Sequence, residues 1–303
     1  MISLKGILPA ITTPFRSDGT VDLTGLRANF TNWHKTGLTG YLVLGSTGEV
    51  VHLDEAEKLE LLTVARASIP DTMSMIVGTG LHSTRATILF TRQAAAAGGD
   101  YALVVTPHYF KSSMTQTVLR DFYCEVADAS PIPVLLYSVP QFTGVTLQPE
   151  TIAVLAEHRN IVGIKDSAGD VRALIHTLSL VPKDFVVLTG SAPVLYPALA
   201  VGAQGAILAI ANLAPTACVE IYRLLEANQL ADARTYQERL LILSEEIATR
   251  YGIGGIKYAM DCVGYIGGDV RSPLTMPNAA ARQAIRTSLQ ECKFFENLKL
   301  MDN

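Results

Sequence analysis

Eight short apolar runs recur along the chain, each followed by a turn and then by a helix-like segment. They are GILPAI (6–11), YLVLG (41–45), SMIVG (74–78), YALVVT (101–106), IPVLLYS (132–138), IVGIK (161–165), FVVLTG (185–190) and GAILAI (205–210). Their apolar residues run consecutively instead of alternating with polar ones, as expected of parallel strands covered on both faces. The intervening segments carry helix signals. DEAEKLELLTVARASI (54–69) has acids early and Arg66 in its last turn, and STRATILFTRQAAAAGG (83–99) opens on Ser83 as a cap and closes on glycines. Eight β–α units in succession predict a closed (β/α)8 TIM barrel, with a doubly wound open sheet as the alternative. The absence of a long break between units favours closure. Beyond about residue 225 the strand pattern stops, and 230–252 and 277–300 read as helices only. The expected organisation is therefore a barrel over 1–225 that holds the active site, followed by a helical domain over 226–303.

Composition narrows the partners. Of 303 residues, 49% are apolar and 17% charged, enough for a sizeable core, and the net charge of −4 with no basic run argues against a nucleic-acid partner. The apolar runs have the length of strands, too short to span a membrane, and the N-terminal MISLKGILPA has no signal-peptide pattern. The four cysteines stand apart without a CxxC pair, so they read as free thiols of a cytoplasmic protein. The six histidines form no close ligand pairs, which gives little support to metal-dependent chemistry.

In such barrels the C-terminal ends of the strands converge on the active site. The first strand then delivers Thr12 and Thr13, the second Gly45-Ser46-Thr47-Gly48-Glu49, the fourth Thr106 to Tyr109, the fifth Tyr137 and the sixth Lys165. Lys165 is the unusual member, because a charged ammonium is costly to hold against an apolar wall unless it is paired or loses its proton. A desolvated lysine is in part a free amine near neutral pH, and a free amine attacks a ketone to form a Schiff base, an electron sink for carbon–carbon bond chemistry. The competing reading is a structural ion pair, for instance with Asp166. The hydroxyls of Ser46 and Thr47, flanked by glycines ahead of a helix, suit a carboxylate, although the same text serves an ordinary βα turn. Tyr137 lies one strand before Lys165, where a phenol can shuttle protons during imine formation, or else simply pack in the core.

Taken together, PAITTPF (9–15), GSTGE (45–49), TPHYF (106–110), YSVPQFTG (137–144) and GIKDSAGD (163–170) resemble the dihydrodipicolinate synthase/N-acetylneuraminate lyase family of class I aldolases. The resemblance runs from about residue 5 to about residue 275 with the motifs in order. It implies a barrel with a C-terminal helical domain, assembled as a homotetramer that is a dimer of dimers, and no metal or organic cofactor. It makes Lys165 the residue that forms the imine with pyruvate or another 2-oxo acid, and Tyr137 the proton relay. Ser46 and Thr47 become the contacts to the substrate carboxylate, with Thr47 continuing the relay. Tyr109 becomes the tyrosine that reaches a neighbouring subunit's site, and Ile207 a residue whose backbone faces the keto acid.

One departure bears on the second substrate. Phe142 stands where the synthases of this family carry an arginine for the carboxylate of their aldehyde, and a phenyl ring cannot pair with a carboxylate. The wording of YSVPQFTG, GIKDSAGDV and RYGIGGIKYAMDCVGYIGG (250–268) looks closer to 4-hydroxy-2-oxoglutarate aldolase. The expected reaction is therefore retro-aldol cleavage to pyruvate and an aldehyde. The alternatives are condensation of pyruvate with aspartate semialdehyde, as in 4-hydroxy-tetrahydrodipicolinate synthase, a dehydratase working through the same imine, and a non-catalytic keto-acid-binding barrel.

Overall fold

In the computed structural model, which describes residues 3–295, the eight apolar runs form eight parallel strands. They are β1 (Gly6–Pro9), β2 (Gly40–Val43), β3 (Ser74–Gly78), β4 (Tyr101–Val105), β5 (Val134–Ser138), β6 (Ile161–Asp166), β7 (Val186–Thr189) and β8 (Gly205–Leu208). Each pairs with its sequence neighbour, and β8 returns to β1 with Leu8 opposite Ile207. The last seam closes through a parallel bridge between Ala10 and Leu42, where the Ile11 amide donates to the Leu42 carbonyl at 3.0 Å. The open-sheet alternative is thereby excluded.

Consecutive apolar residues are needed because each strand has two dry faces. Leu8, Leu42, Ile76, Leu103, Leu135, Leu188 and Ile207 fill the barrel interior, while the alternate positions pack outward under the helices. The helix read at 54–69 runs Glu55–Ser68. Asp54 accepts from the Glu57 amide at 2.9 Å, and the Glu57 carboxylate accepts from the Asp54 amide at 3.0 Å, a reciprocal cap. The helix read at 83–99 runs Thr84–Ala96, with the Ser83 hydroxyl accepting from Ala86 N. All four cysteines are free thiols.

After β8 the chain is helical: Pro215–Glu226, Leu230–Leu243, a wider turn at Ser244–Thr249, Arg250–Cys262 and Ala279–Glu291. The helix expected over 230–252 thus continues past Gly252, whose φ of 59° kinks it, and on through Cys262. The expected helix from 277 ends at Glu291, and its remainder from 296 lies outside the described residues. These helices share one apolar cluster with the first two β–α units, Leu240, Ile256, Met260 and Leu289 joining Phe15, Leu26 and Trp33. Among the described residues no helix is long and apolar enough to cross a membrane.

Candidate active site

Strand register places the lysine and the tyrosine. Tyr137 is the direct partner of Lys165 across β5 and β6, so both side chains leave the sheet on the inner side at the same height. Both are nearly fully buried, and the Lys165 Nζ stands 4.4 Å from the centre of the Tyr137 ring. Asp166, next in the strand, points to the opposite face, and its carboxylate accepts from the Ala168 amide at 2.8 Å. Burial raises the Asp166 carboxyl above the usual carboxylate range, partly offset by that amide. Among the described residues no carboxylate pairs with Lys165, so the structural ion pair considered for it is not formed.

The space beside Lys165 depends on a glycine. A Cβ on Gly190, just past β7, would lie 2.8 Å from Lys165 Cε and 1.9 Å from Ser167 Oγ. Lys165 can extend along the barrel wall only because that Cβ is missing. The Gly190 amide also donates to the Asp166 carbonyl at 2.6 Å, which closes the two strand ends together.

The loop after β2 is stretched between two left-handed residues, Leu44 (φ 59°) and Glu49 (φ 57°), with Ser46–Gly48 forming a tight helical turn between them. Each non-glycine residue held there costs about 1–3 kcal/mol and persists only where surrounding contacts impose it. Those contacts are present. The Thr13 hydroxyl, at the end of β1, donates to the Gly48 carbonyl at 2.7 Å. Glu49 is buried, its Oε1 accepting from Lys257 Nζ at 2.6 Å and its Oε2 from the Arg271 amide at 2.9 Å, with His52 Nδ1 at 3.2 Å. Ser46 and Thr47 are half-buried in that turn.

The remaining candidates divide. Ile207 is fully buried inside the barrel in the same apolar cluster as Tyr137 and Leu188. Phe142 lies on a short helix, Pro140–Thr143, that follows β5, and its ring is 72% exposed. The neighbouring Gln141 ties that helix to the loop after β6 by donating to the Ser167 carbonyl at 2.8 Å. Tyr109 is 75% exposed and packs edge-on against Phe110 (5.0 Å) and His82 (6.1 Å). Among the described residues no three His, Cys, Asp or Glu side chains gather where a metal ion could be held.

Sequence reasoning passed over two residues here, Lys257 and Arg271. Lys257 sits in the glycine-rich RYGIGGIKYAM stretch, and only the folded chain turns that stretch into a helix facing the mouth. Its ammonium is wholly buried, donates to Glu49 and to the Asp269 carbonyl (2.6 Å) and lies 4.5 Å from the Phe15 ring centre. Burial holds it below the ordinary lysine value, against the opposing pull of Glu49. Arg271 covers the same ring at 4.4 Å, donates to the Gly19 and His52 carbonyls and makes a two-pronged ion pair with Glu57. A signal was available in a lysine set among apolar neighbours, the same anomaly that singled out Lys165.

A closed (β/α)8 barrel with a buried strand-end lysine against a tyrosine defines the architecture of a class I aldolase. The chain belongs to the dihydrodipicolinate synthetase family, which it matches over residues 3–292. It is an enzyme, a carbon–carbon lyase of the pyruvate-dependent class I type. Over 287 residues it is 35% identical to a 4-hydroxy-tetrahydrodipicolinate synthase of Exiguobacterium, covering 94% of this chain and 97% of that one. It is 33% identical over 296 residues to a probable mitochondrial 4-hydroxy-2-oxoglutarate aldolase of Emericella nidulans, covering 95% and 96%. The chloride-inhibited dihydrodipicolinate synthase of Acinetobacter baumannii, solved with pyruvate, superposes with a TM-score of 0.91 at 32% identity, covering 96% of this chain and 99% of that one.

Proposed function

We propose that the chain cleaves 4-hydroxy-2-oxo acids of the 4-hydroxy-2-oxoglutarate type to pyruvate and an aldehyde through an imine on Lys165. The observation that carries this reading is the buried, carboxylate-free setting of Lys165 beside Tyr137. The Ser46 and Thr47 hydroxyls hold the substrate carboxylate, with the Ile207 backbone alongside the keto acid. The free amine of Lys165 adds to C2, and Tyr137 passes the protons that let the carbinolamine lose water. The C4 hydroxyl then gives up its proton to Tyr137, C4 becomes the aldehyde carbon, and the C3–C4 electron pair moves into the imine as an enamine. Protonation at C3 and addition of water release pyruvate and restore the amine.

A second reading, condensation of pyruvate with aspartate semialdehyde, is favoured by the names of most relatives, the Exiguobacterium synthase among them. Phe142 weighs against it, since an exposed phenyl ring offers an aldehyde's carboxylate no charge and no hydrogen bond. The exposed aromatics Tyr109 and Phe110 support assembly into a homotetramer, a dimer of dimers, in which Tyr109 serves a neighbour's site. Light scattering on the purified protein tests that assembly.

The test of the chemistry is incubation with pyruvate followed by borohydride and peptide mass analysis. A reduced adduct on Lys165, absent from Lys165→Ala, is expected. Folded protein without that adduct would refute imine chemistry. Cleavage assays with 4-hydroxy-2-oxoglutarate, set against condensation assays with aspartate semialdehyde, then separate the two readings.

A further inference from the structure

We propose that Glu49 and Lys257 form one buried positioning unit through which the C-terminal helices set the Ser46–Thr47 loop for the substrate carboxylate. The inference rests on the reading above that those two hydroxyls receive that carboxylate.

The two residues are 208 positions apart, and both side chains are completely shielded from solvent. Glu49 closes the turn that carries Ser46 and Thr47, and its left-handed backbone is a conformation a glutamate seldom adopts. Its carboxylate is committed on both oxygens, Oε1 to Lys257 Nζ and Oε2 to the Arg271 amide and His52. Glu49 in the loop, the Asp269 carbonyl and the Phe15 ring face, all outside its own helix, surround the lysine nitrogen, and Asp261 one turn on adds a further negative charge.

The ammonium therefore gathers the loops after β1 and β2 and the 266–271 segment around one point. Such a fixed, fully desolvated pair holds geometry better than a solvated one, because neither partner has water to exchange with. The turn of the loop is then dictated from the C-terminal helices. Glu49 and Lys257 are positioning residues: they touch no reacting atom, and they act through Ser46 and Thr47.

The decisive variant is the double substitution Glu49→Gln/Lys257→Met, which removes both charges together and so leaves no buried ion unpaired. Glu49→Asp is its companion. It keeps the charge and tolerates the left-handed backbone, but shortens the arm by one methylene, so Lys257 and Arg271 can be reached only if the loop moves. Leu289→Ala, in the buried core of the last helix, serves as the control for lost stability without a change at the loop.

In both test variants the pyruvate concentration that half-saturates the borohydride adduct on Lys165 is expected to rise about tenfold, with the adduct at saturation unchanged. In cleavage assays KM rises and kcat is kept. Leu289→Ala lowers the melting temperature and leaves half-saturation where it was. Half-saturation within about twofold of the unmodified protein in the folded variants overturns the proposal. So does an equal shift in Leu289→Ala, or failure of both test variants to fold, either of which assigns the pair to stability alone. Unmodified protein that forms no adduct on Lys165 overturns the imine reading first, and this inference with it.

Discussion

Tyr137 and Lys165 are opposite each other in the register of β5 and β6, and the lysine nitrogen stands 4.4 Å from the centre of the tyrosine ring. The ring supplies an apolar wall, the hydroxyl is the proton carrier of the proposed mechanism, and substitution separates the two. Tyr137→Phe keeps the wall. Its imine with pyruvate is expected to form about 10²- to 10⁴-fold more slowly, while still ending on Lys165. A time course of borohydride trapping measures this, and an unchanged rate would remove Tyr137 from the relay.

Gly190 and Lys165 are coupled through space. Gly190→Ala sets a Cβ against Ser167 Oγ and Lys165 Cε, at 1.9 and 2.8 Å before relaxation. Overpacking of this kind costs about 1–3 kcal/mol, measurable by urea denaturation. Displacement of the lysine is expected to lower the imine rate by about a hundredfold, more than the stability change explains. Equal activity in the folded variant would show that the lysine reaches the ketone by another path.

Phe142→Arg introduces a two-pronged carboxylate partner at a rim position that is 72% exposed. Partly solvated, such a contact is worth about 1.5 kcal/mol, near tenfold in kcat/KM. Condensation of pyruvate with a carboxylate-bearing semialdehyde should gain by that factor, and condensation with benzaldehyde should not. Efficient use of aspartate semialdehyde by the unmodified protein would show that Phe142 does not exclude it.

The Arg271–Glu57 pair predicts a pH dependence of stability. Hydrogen bonding to Arg271, with a smaller share from the Asp54 amide, holds the Glu57 carboxyl below its usual value of 4.5 despite partial burial. The folded state therefore binds this proton less readily than the unfolded chain. The stabilisation is complete above pH 4.5 and is lost as pH falls through the lower folded value. At pH 7 Glu57→Gln should cost about 1–2 kcal/mol, and the difference from the unmodified protein should be smaller at pH 3 than at pH 7. Urea titrations at the two pH values test this, and a constant difference would mean that Glu57 acts through packing.

Much of the fold was legible because strand and helix signals are local. A run such as Tyr101–Val105 bounded by turns reads as a strand from its own residues, and eight such runs separated by helices favour closure over an open sheet. Lys165 and Tyr137 were legible too, since each stands at the end of a strand and register alone brings them together. The helix Arg250–Cys262 was not. Gly252, Gly254 and Gly255 break the usual helix text, and the helix forms because Ile256, Tyr258, Met260 and Cys262 bury against the barrel.

The sequence by itself determined the order of the strands, the barrel class and which strand end carries the amine. Each of these follows from residues within one element or one register step. Only the tertiary structure decided which contacts hold the mouth. Gly190 makes room for Lys165, and Glu49 meets Lys257 across 208 residues. Such contacts are invisible to any local pattern because their geometry is set by how whole helices settle on the barrel.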